Sequence, residues 1–259
     1  IEPDSPFLEI SSLAAFGSAY PVGGGAVAGI GIVAGTECVI YGNDPTVLAG
    51  AMHTYSAKKW TRAMEISRVN KIPYIQFVES SGGDLRMGGG KGEGSKRGSI
   101  LGAGHFAESG RTFYDVTELS KLRIPTISIV FGSSTAGGAY QPGMSDYNIF
   151  IKKQSKVFLG GPPLVKMATG EESDDETLGG GQMHAEVSGL ADYLAEDEMD
   201  ALRIGREVVS HLNWRKEGKK PKLAPDSPIL DSEDLLGLVD SDLKKPFDVR
   251  EVIGRIADG

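Results

Sequence analysis

Two short β-type runs in this chain each end in a pair of adjacent glycines, and this repeated unit does most to limit the folds open to it. Tyr74 to Val78 runs into Glu79-Ser80-Ser81-Gly82-Gly83-Asp84, and residues 126–131 (TISIVF) run into Gly132-Ser133-Ser134-Thr135-Ala136-Gly137-Gly138-Ala139. Each run follows a helix-like segment and a proline: 53–69 (HTYSAKKWTRAMEISRV) before Pro73, and 111–121 before Pro125. Such alternation predicts an α/β architecture rather than a bundle or a sandwich. Upstream, 26–33 (AVAGIGIV) and 38–41 (CVIY) flank a break at Ala34 to Glu37 that suits a hairpin turn. Within 53–69, Trp60, Met64 and Ser67 share one face and Lys58, Arg62 and Glu65 lie elsewhere, an amphipathic helix. A third break, Leu159-Gly160-Gly161-Pro162-Pro163, precedes a helix-prone stretch at 164–169, and a further helix is predicted over 193–212. Residues 213–231 are charged and proline-containing and read as a surface connection, with a small helical appendage at 232–259.

Composition removes several classes of function. A chain of 259 residues with 40% apolar residues can bury one large core or two small ones. Cys38 is the single cysteine, so no internal disulfide can form and a reducing compartment is the natural expectation. His53, His105, His184 and His211 are far apart, and none forms an HxxxH or HExxH pattern, so no metal site is expected. The net charge of −8 speaks against a nucleic-acid or anionic-membrane surface. No apolar run approaches the eighteen or so residues of a membrane span. The opening IEPDSPFLEI lacks the regions of a signal peptide, and a first residue Ile1 suggests a chain that begins inside a longer polypeptide.

Three glycine-rich patterns need separate treatment. Residues 86–104 (RMGGGKGEGSKRGSILGAG) are too rich in glycine for regular structure and read either as a flexible surface loop or as a ligand-contacting lid. They are not a P-loop, because Gly92 follows Lys91 and Leu85 stands where the first glycine belongs. Gly23-x-Gly25-x-x-Ala28 and Gly29-x-Gly31-x-x-Ala34 fit a loose dinucleotide fingerprint, but each lies in a strand-like run that leads to another strand. A pyrophosphate would find no helix N-terminus there.

A glycine pair where a buried strand turns into a helix has a chemical use. Without a Cβ the backbone can approach a ligand closely, and the leading N–H groups point outward from the positive end of the helix dipole. Such donors, aimed at a thioester oxygen becoming an enolate, are worth about 3 kcal/mol each. The bland alternative is that Gly82-Gly83 or Gly137-Gly138 merely permits tight helix–sheet packing. For one pair alone that would suffice; two pairs on comparable turns favour the oxyanion reading. No Ser-His-Asp or paired-carboxylate site assembles beside them.

Longer stretches around these turns carry a resemblance. Ser133 to Tyr140 with Pro142, Lys152-Lys153-Gln154, Phe158 to Glu172 (FLGGPPLVKMATGEE) and Leu178-Gly179-Gly180 are similar to the carboxyltransferase β subunits of biotin-dependent acyl-CoA carboxylases. The similarity is nearest to the methylcrotonyl-CoA and geranyl-CoA carboxylase branch. It extends through Lys58-Lys59, Arg62-Ala63, Glu65-Ile66, Ser81-Gly82-Gly83, Ser188-Gly189, Asp192 and Phe247 to Ile253, nearly the whole chain.

The resemblance implies a crotonase-like (ClpP/crotonase) ββα superhelix. It makes residues 1–225 a single N-terminal carboxyltransferase domain, and 226–259 the segment leading to a C-terminal domain outside this chain. It implies that Gly137 and Gly138 form the oxyanion pair through their backbone N–H groups. Gly82 and Gly83 would form the second turn, where the pantetheine passes, and Ala136, Ala139 and Tyr140 would line the substrate site. Lys59 and Arg62 would be candidates for the CoA phosphates. Biotin, as carboxybiotin on a separate carrier domain or subunit, would release CO2 and take the α-proton. None would be attached here, since Lys166-Met167 lacks the Ala-Met-Lys-Met arrangement. Expected partners are the acyl-CoA substrate, the C-terminal domain, the biotin carboxylase and carrier subunit, and further copies of the chain as a trimer of dimers. The expected compartment is the bacterial cytoplasm or the mitochondrial matrix.

Two departures put the acyl group in question: Asp84-Leu85-Arg86-Met87 after the first glycine turn, and Gln141 after Tyr140. Three other readings stay open. One is a self-sufficient crotonase-type hydratase, isomerase or decarboxylase, which would need a carboxylate beside its glycine turn, the nearest acid after Gly138 being Asp146 and Glu171 and Glu172 reading instead as helix-start residues. Another is a non-catalytic CoA-binding assembly subunit. The third is a biotin-linked decarboxylase subunit of the glutaconyl-CoA type.

Overall fold

The computed structural model describes residues 1–84, 110–215, 226–238, 240, 242 and 244–257. The glycine-rich stretch 86–104 and the departures at Leu85 to Met87 lie outside the described residues, as does 216–225 of the charged connection. Contacts divide the chain into two compact units, Ile1–Lys216 and Glu217–Gly259.

The first unit is built on an eight-stranded sheet. β2 (Ala26–Val33) runs antiparallel to both of its neighbours, β1 (Leu8–Glu9) and β3 (Thr36–Asn43). The β2–β3 turn is the hairpin read from the sequence: Val33 pairs with Thr36, and the two residues between, Ala34 and Gly35, both have positive φ, as a two-residue hairpin turn requires. From β3 onward the sheet is parallel, through β4 (Tyr74–Ser80), β5 (Thr126–Thr135) and β6 (Tyr147–Ile151), with β7 (Lys156–Phe158) extending beside the end of β5 and β8 (Tyr193–Ala195) beyond β6.

Helices lie on the connections between neighbouring parallel strands, which cannot be joined by a tight turn. α1 (Thr54–Asn70) joins β3 to β4, and the helix at 110–121, α2, precedes β5. His53 starts α1 with a capping box: Ser56 Oγ accepts from the His53 N–H at 2.9 Å while His53 Nδ1 accepts from the Tyr55 N–H at 3.3 Å. α3 (Tyr140–Gly143) leads to β6, and α4 (Pro162–Thr169), α5 (Asp175–Gly179) and α6 (Gly181–Met183) precede β8. α7 (Glu198–His211) follows. The second unit carries α8 (Leu235–Leu238) and α9 (Val249–Ile256).

The sheet buries both faces. On one, Trp60 and Met64 of α1 and Val116 and Leu119 of α2 pack on Val39, Tyr41 and Tyr74. On the other, Ala201, Ile204 and Val208 of α7 cover Ile75, Ile127, Ile129 and Ile149. A strand covered on both faces buries its side chains on both, so in TISIVF the polar Thr126 and Ser128 are buried along with Ile127, Ile129 and Val130. Cys38 is fully buried in the α7 face, and burial pushes its thiol up to about 12.

One expected element is corrected. The helix read over 193–212 begins only at Glu198, after Asp197, whose carboxylate accepts from the Asp200 N–H. Its first three residues are strand β8, held in register with Ile149, Phe150 and Ile151 of β6. Edge pairing to an existing sheet outweighs the helical pattern there.

Candidate functional site

The two glycine turns meet. β4 and β5 are parallel neighbours, with Ser80 opposite Ser134, so both turns leave the same edge of the sheet side by side. A Cβ built on Gly82 would stand 3.0 Å from the Thr135 carbonyl, 3.2 Å from Ala136 Cβ and 3.7 Å from the Gly137 nitrogen. Gly82 has φ +92, which side chains rarely adopt.

The second turn is helical from its start. Ala136–Ala139 form a 3₁₀ turn that runs directly into α3, with Thr135 extended before it and Ala136 at φ +50. In a 3₁₀ turn each N–H reaches back three residues, so Gly138 is the first that can bond within the turn. The leading N–H groups are those of Ala136 and Gly137. The four glycines then divide by surroundings. A Cβ on Gly138 would lie 2.9 to 3.1 Å from the Ser80 side chain and carbonyl, so that glycine is needed for packing. A Cβ on Gly137 or Gly83 would meet nothing within 4 Å among the described residues. Ala139 is buried, while Tyr140 is 43% exposed with its ring 4.9 Å from that of Phe113 on α2.

A third segment, absent from the sequence-based picture, grips the first turn. Met52 accepts from the Asp84 N–H at 2.8 Å and donates to the Gly82 carbonyl at 2.7 Å, and the Ser81 N–H donates to the Ala49 carbonyl at 3.1 Å. To do this, Leu48, Ala49 and Gly50 take successive positive φ values of 56°, 52° and 67°. Two side-chain-bearing residues held left-handed is stored strain of the sort found at working sites. Beside this grip lies a cavity of about 560 Å³ lined in part by Tyr20, Leu48 and Asp84, with the Tyr20 hydroxyl 3.4 Å from an Asp84 carboxylate oxygen.

Lys59 corrects an expectation. Its ammonium does not face solvent but is buried under the β2 entry, donating to the Ala26 carbonyl at 2.8 Å and the Gly23 carbonyl at 3.2 Å, with Glu9 at 3.8 Å. Burial lowers its pKa despite Glu9. A CoA phosphate would have to displace these partners, so Lys59 is a structural lysine here. Lys59→Met leaves two carbonyls without their donor and is expected to cost about 1–3 kcal/mol in urea denaturation at neutral pH. A lysine whose folded pKa is lowered favours folding more as pH rises through that pKa toward 10.5. Wild-type stability should therefore climb relative to Lys59→Met over that range. Arg62 stays exposed on α1, ion-paired with Glu65 at 2.7 Å.

Among the described residues, Asp84 directly follows the first glycine turn and its carboxylate meets the Tyr20 hydroxyl, while the acids weighed for the second turn are engaged elsewhere. Asp146 accepts from the Thr126 N–H and hydroxyl, both at 2.9 Å. Glu172 pairs with Lys166. Glu171 and Glu172 follow the Gly170 cap of α4, and the residue that caps α5 is Asp174, so the helix-start role read for them falls to Asp174. His184 is a core histidine: its ring nitrogens lie 2.8 Å from the Val157 carbonyl and 2.7 Å from Ser188 Oγ. Among the described residues no group of three or more His, Cys, Asp or Glu is placed to hold a metal, and no helix is long and apolar enough to cross a membrane. What the second turn offers is backbone, with open space beside Gly137 among the described residues.

The sequence matches the family described as carboxyl transferase domain over residues 1–259. It is 54% identical over 259 residues to a probable biotin-dependent acyl-coenzyme A carboxylase beta2 subunit of Mycobacterium tuberculosis, covering 100% of this chain and 46% of that protein. It is 41% identical over 263 residues to the mitochondrial methylcrotonoyl-CoA carboxylase beta chain of Dictyostelium discoideum, covering 100% and 43%. Among solved structures, the beta subunit of geranyl-CoA carboxylase from P. aeruginosa superposes with a TM-score of 0.81 at 40% identity, over 100% of this chain and 46% of that one. A transcarboxylase 12S hexamer with methylmalonyl-coenzyme A and methylmalonic acid bound gives 0.68 at 26% identity, over 98% and 48%. The chain thus spans about half the length of the relatives it matches.

Proposed function

Because the chain belongs to the carboxyl transferase domain family, we propose that it is the acyl-CoA half of a carboxyltransferase. The reaction moves a carboxyl group from carboxybiotin to the α carbon, or the vinylogous γ carbon, of an acyl-CoA. The observation that carries this is the meeting of the two glycine turns, with a Cβ on Gly82 3.7 Å from the Gly137 nitrogen and open space beside Gly137 among the described residues. A thioester laid across them would have its oxygen beside the Gly137 N–H, where the charge of an enolate develops. Such preorganised donors lower the cost of that charge because they need no reorganisation during the reaction.

Gly138 supports the turn from beneath, and Ala136, Ala139 and Tyr140 border it. Gly82 and Gly83 give the pantetheine passage, steadied by Met52 and Ala49. Arg62 is the candidate for a CoA phosphate. Carboxybiotin, when bound, supplies the carboxyl group; the open space at Gly137 among the described residues suits its approach from a separate carrier. The finer assignments go with this reading: 1–225 as the acyl-CoA domain and 226–259 as the segment leading to a C-terminal domain. So do the biotin carboxylase and carrier as partners, a trimer of dimers, and a bacterial cytoplasm or mitochondrial matrix.

The test is free-biotin-dependent decarboxylation of a panel of carboxylated acyl-CoAs. The chain alone should bind acyl-CoA with negligible turnover, and a matching C-terminal domain should restore turnover that requires biotin. Robust turnover by the chain alone without biotin would overturn this reading in favour of a self-sufficient crotonase-type enzyme.

A further inference from the structure

The second glycine turn is tied down from below by a side chain of the neighbouring strand. Gln76, midway along β4 and 1% exposed, donates from Nε2 to Ser128 Oγ on β5 at 2.7 Å and to the Gln141 carbonyl in α3 at 2.9 Å. Ser145 Oγ, just past α3, lies 3.0 Å from the same nitrogen. The hydroxyls of Ser128 and Ser145 are 2.7 Å apart, and Ser145 Oγ donates to the Gln141 carbonyl at 2.9 Å. Every hydrogen then finds an acceptor: Gln76 gives one to Ser128 and one to Gln141, Ser128 gives its own to Ser145, and Ser145 gives its own to Gln141. Two bonds converge on a single carbonyl.

That carbonyl belongs to the helical segment whose first N–H groups are those of Ala136 and Gly137, and no side chain caps the segment's start. Its position is set by β4 at two points. Ser80 underlies Gly138, and Gln76, four residues earlier on the strand, holds Gln141. A buried polar network where apolar side chains would fill the same layer favours one geometry over its neighbours.

We propose that Gln76 is a positioning residue for carboxyl transfer. It fixes the pitch of the 136–143 segment, and so the aim of the Gly137 N–H, without touching the substrate. This rests on the reading of Gly137 as an enolate donor.

The test uses the full-length subunit assembled with its biotin-bearing partner. Gln76→Met should lower kcat by about tenfold to a hundredfold, since small misplacements at a reacting centre are that costly, with KM and Kd for acyl-CoA within about twofold of wild type. Gln76→Glu adds a signature: its carboxylic acid can donate to the Gln141 carbonyl and its carboxylate cannot, so its kcat relative to wild type should rise as pH falls. A purely structural role would shift melting temperature without this split or this pH dependence. Wild-type kcat in Gln76→Met, or a fall in kcat matched by an equal rise in KM, overturns the inference. Should Gln76→Met fail to fold, a Gln76→Glu ratio that is flat with pH overturns it, and a rising ratio sustains it. A wild-type enzyme without biotin-dependent turnover would instead remove the enzymatic reading itself, whereas an active wild type with an indifferent Gln76→Met removes only this inference.

Discussion

Replacing Gly137 by valine is expected to lower biotin-dependent carboxyl transfer by about a hundredfold to a thousandfold while the protein stays folded. The argument is one of space. Among the described residues a Cβ at Gly137 meets nothing within 4 Å, so a side chain there is expected to collide chiefly with what binds. Stability in urea should change by no more than about 1 kcal/mol, as for substitutions away from packed features. The adjacent position behaves in the opposite way: Gly138→Ala pushes a methyl into Ser80 at 2.9 Å and should lose stability first, with activity following it. Steady-state kinetics of the full subunit, paired with urea denaturation of each variant, separates the two. Equal loss of stability at both positions would mean that Gly137 is a packing glycine and that the open space has no occupant.

The largest expected effect on folding is at Gly50. A Cβ there would come within 2.1 Å of the Glu79 carbonyl oxygen, and the residue is buried with φ +67. Both obstacles are backbone, so no side-chain rearrangement relieves them. Gly50→Val is expected to cost about 4 kcal/mol or more, a magnitude reserved for overpacking combined with a forbidden conformation. Its clash is with the last residues of β4, so the surviving folded population should also show faster amide exchange at Ser81 and Asp84, whose N–H groups bond to Ala49 and Met52. A midpoint close to wild type would show that the 48–52 segment can leave the glycine turn without loss.

Much of the frame was legible because it is governed by local rules. The β2–β3 hairpin, α1, β4 and β5 all follow from periodicity and from where glycine and proline interrupt it. β8 and the short β1 and β7 were not legible, since two- and three-residue strands exist only through pairing with a sheet already present. Lys59 is instructive because the signal was there. Ser56, Trp60, Ala63 and Ser67 mark the buried stripe of α1, and Lys59 falls on it at helical spacing, yet its charge suggested the surface. The glycine pairs were visible as a repeated unit, but their division into packing and open positions depends on Ser80 and Ser134 lying opposite each other, a long-range fact. The grip of Ala49 and Met52 on the first turn, and of Gln76 on the second, left only a lone glycine and a lone glutamine in the sequence.

The donors over the open space at Gly137 are peptide N–H groups, and a peptide N–H does not titrate anywhere in the range in which proteins stay folded. If Gly137 serves carboxyl transfer as proposed, this half of the site is a fixed electrostatic template, equally poised in mild acid and mild base. Whatever sensitivity to acidity the proposed reaction has would then enter through the groups that exchange protons with the substrate, which can be retuned without disturbing the template.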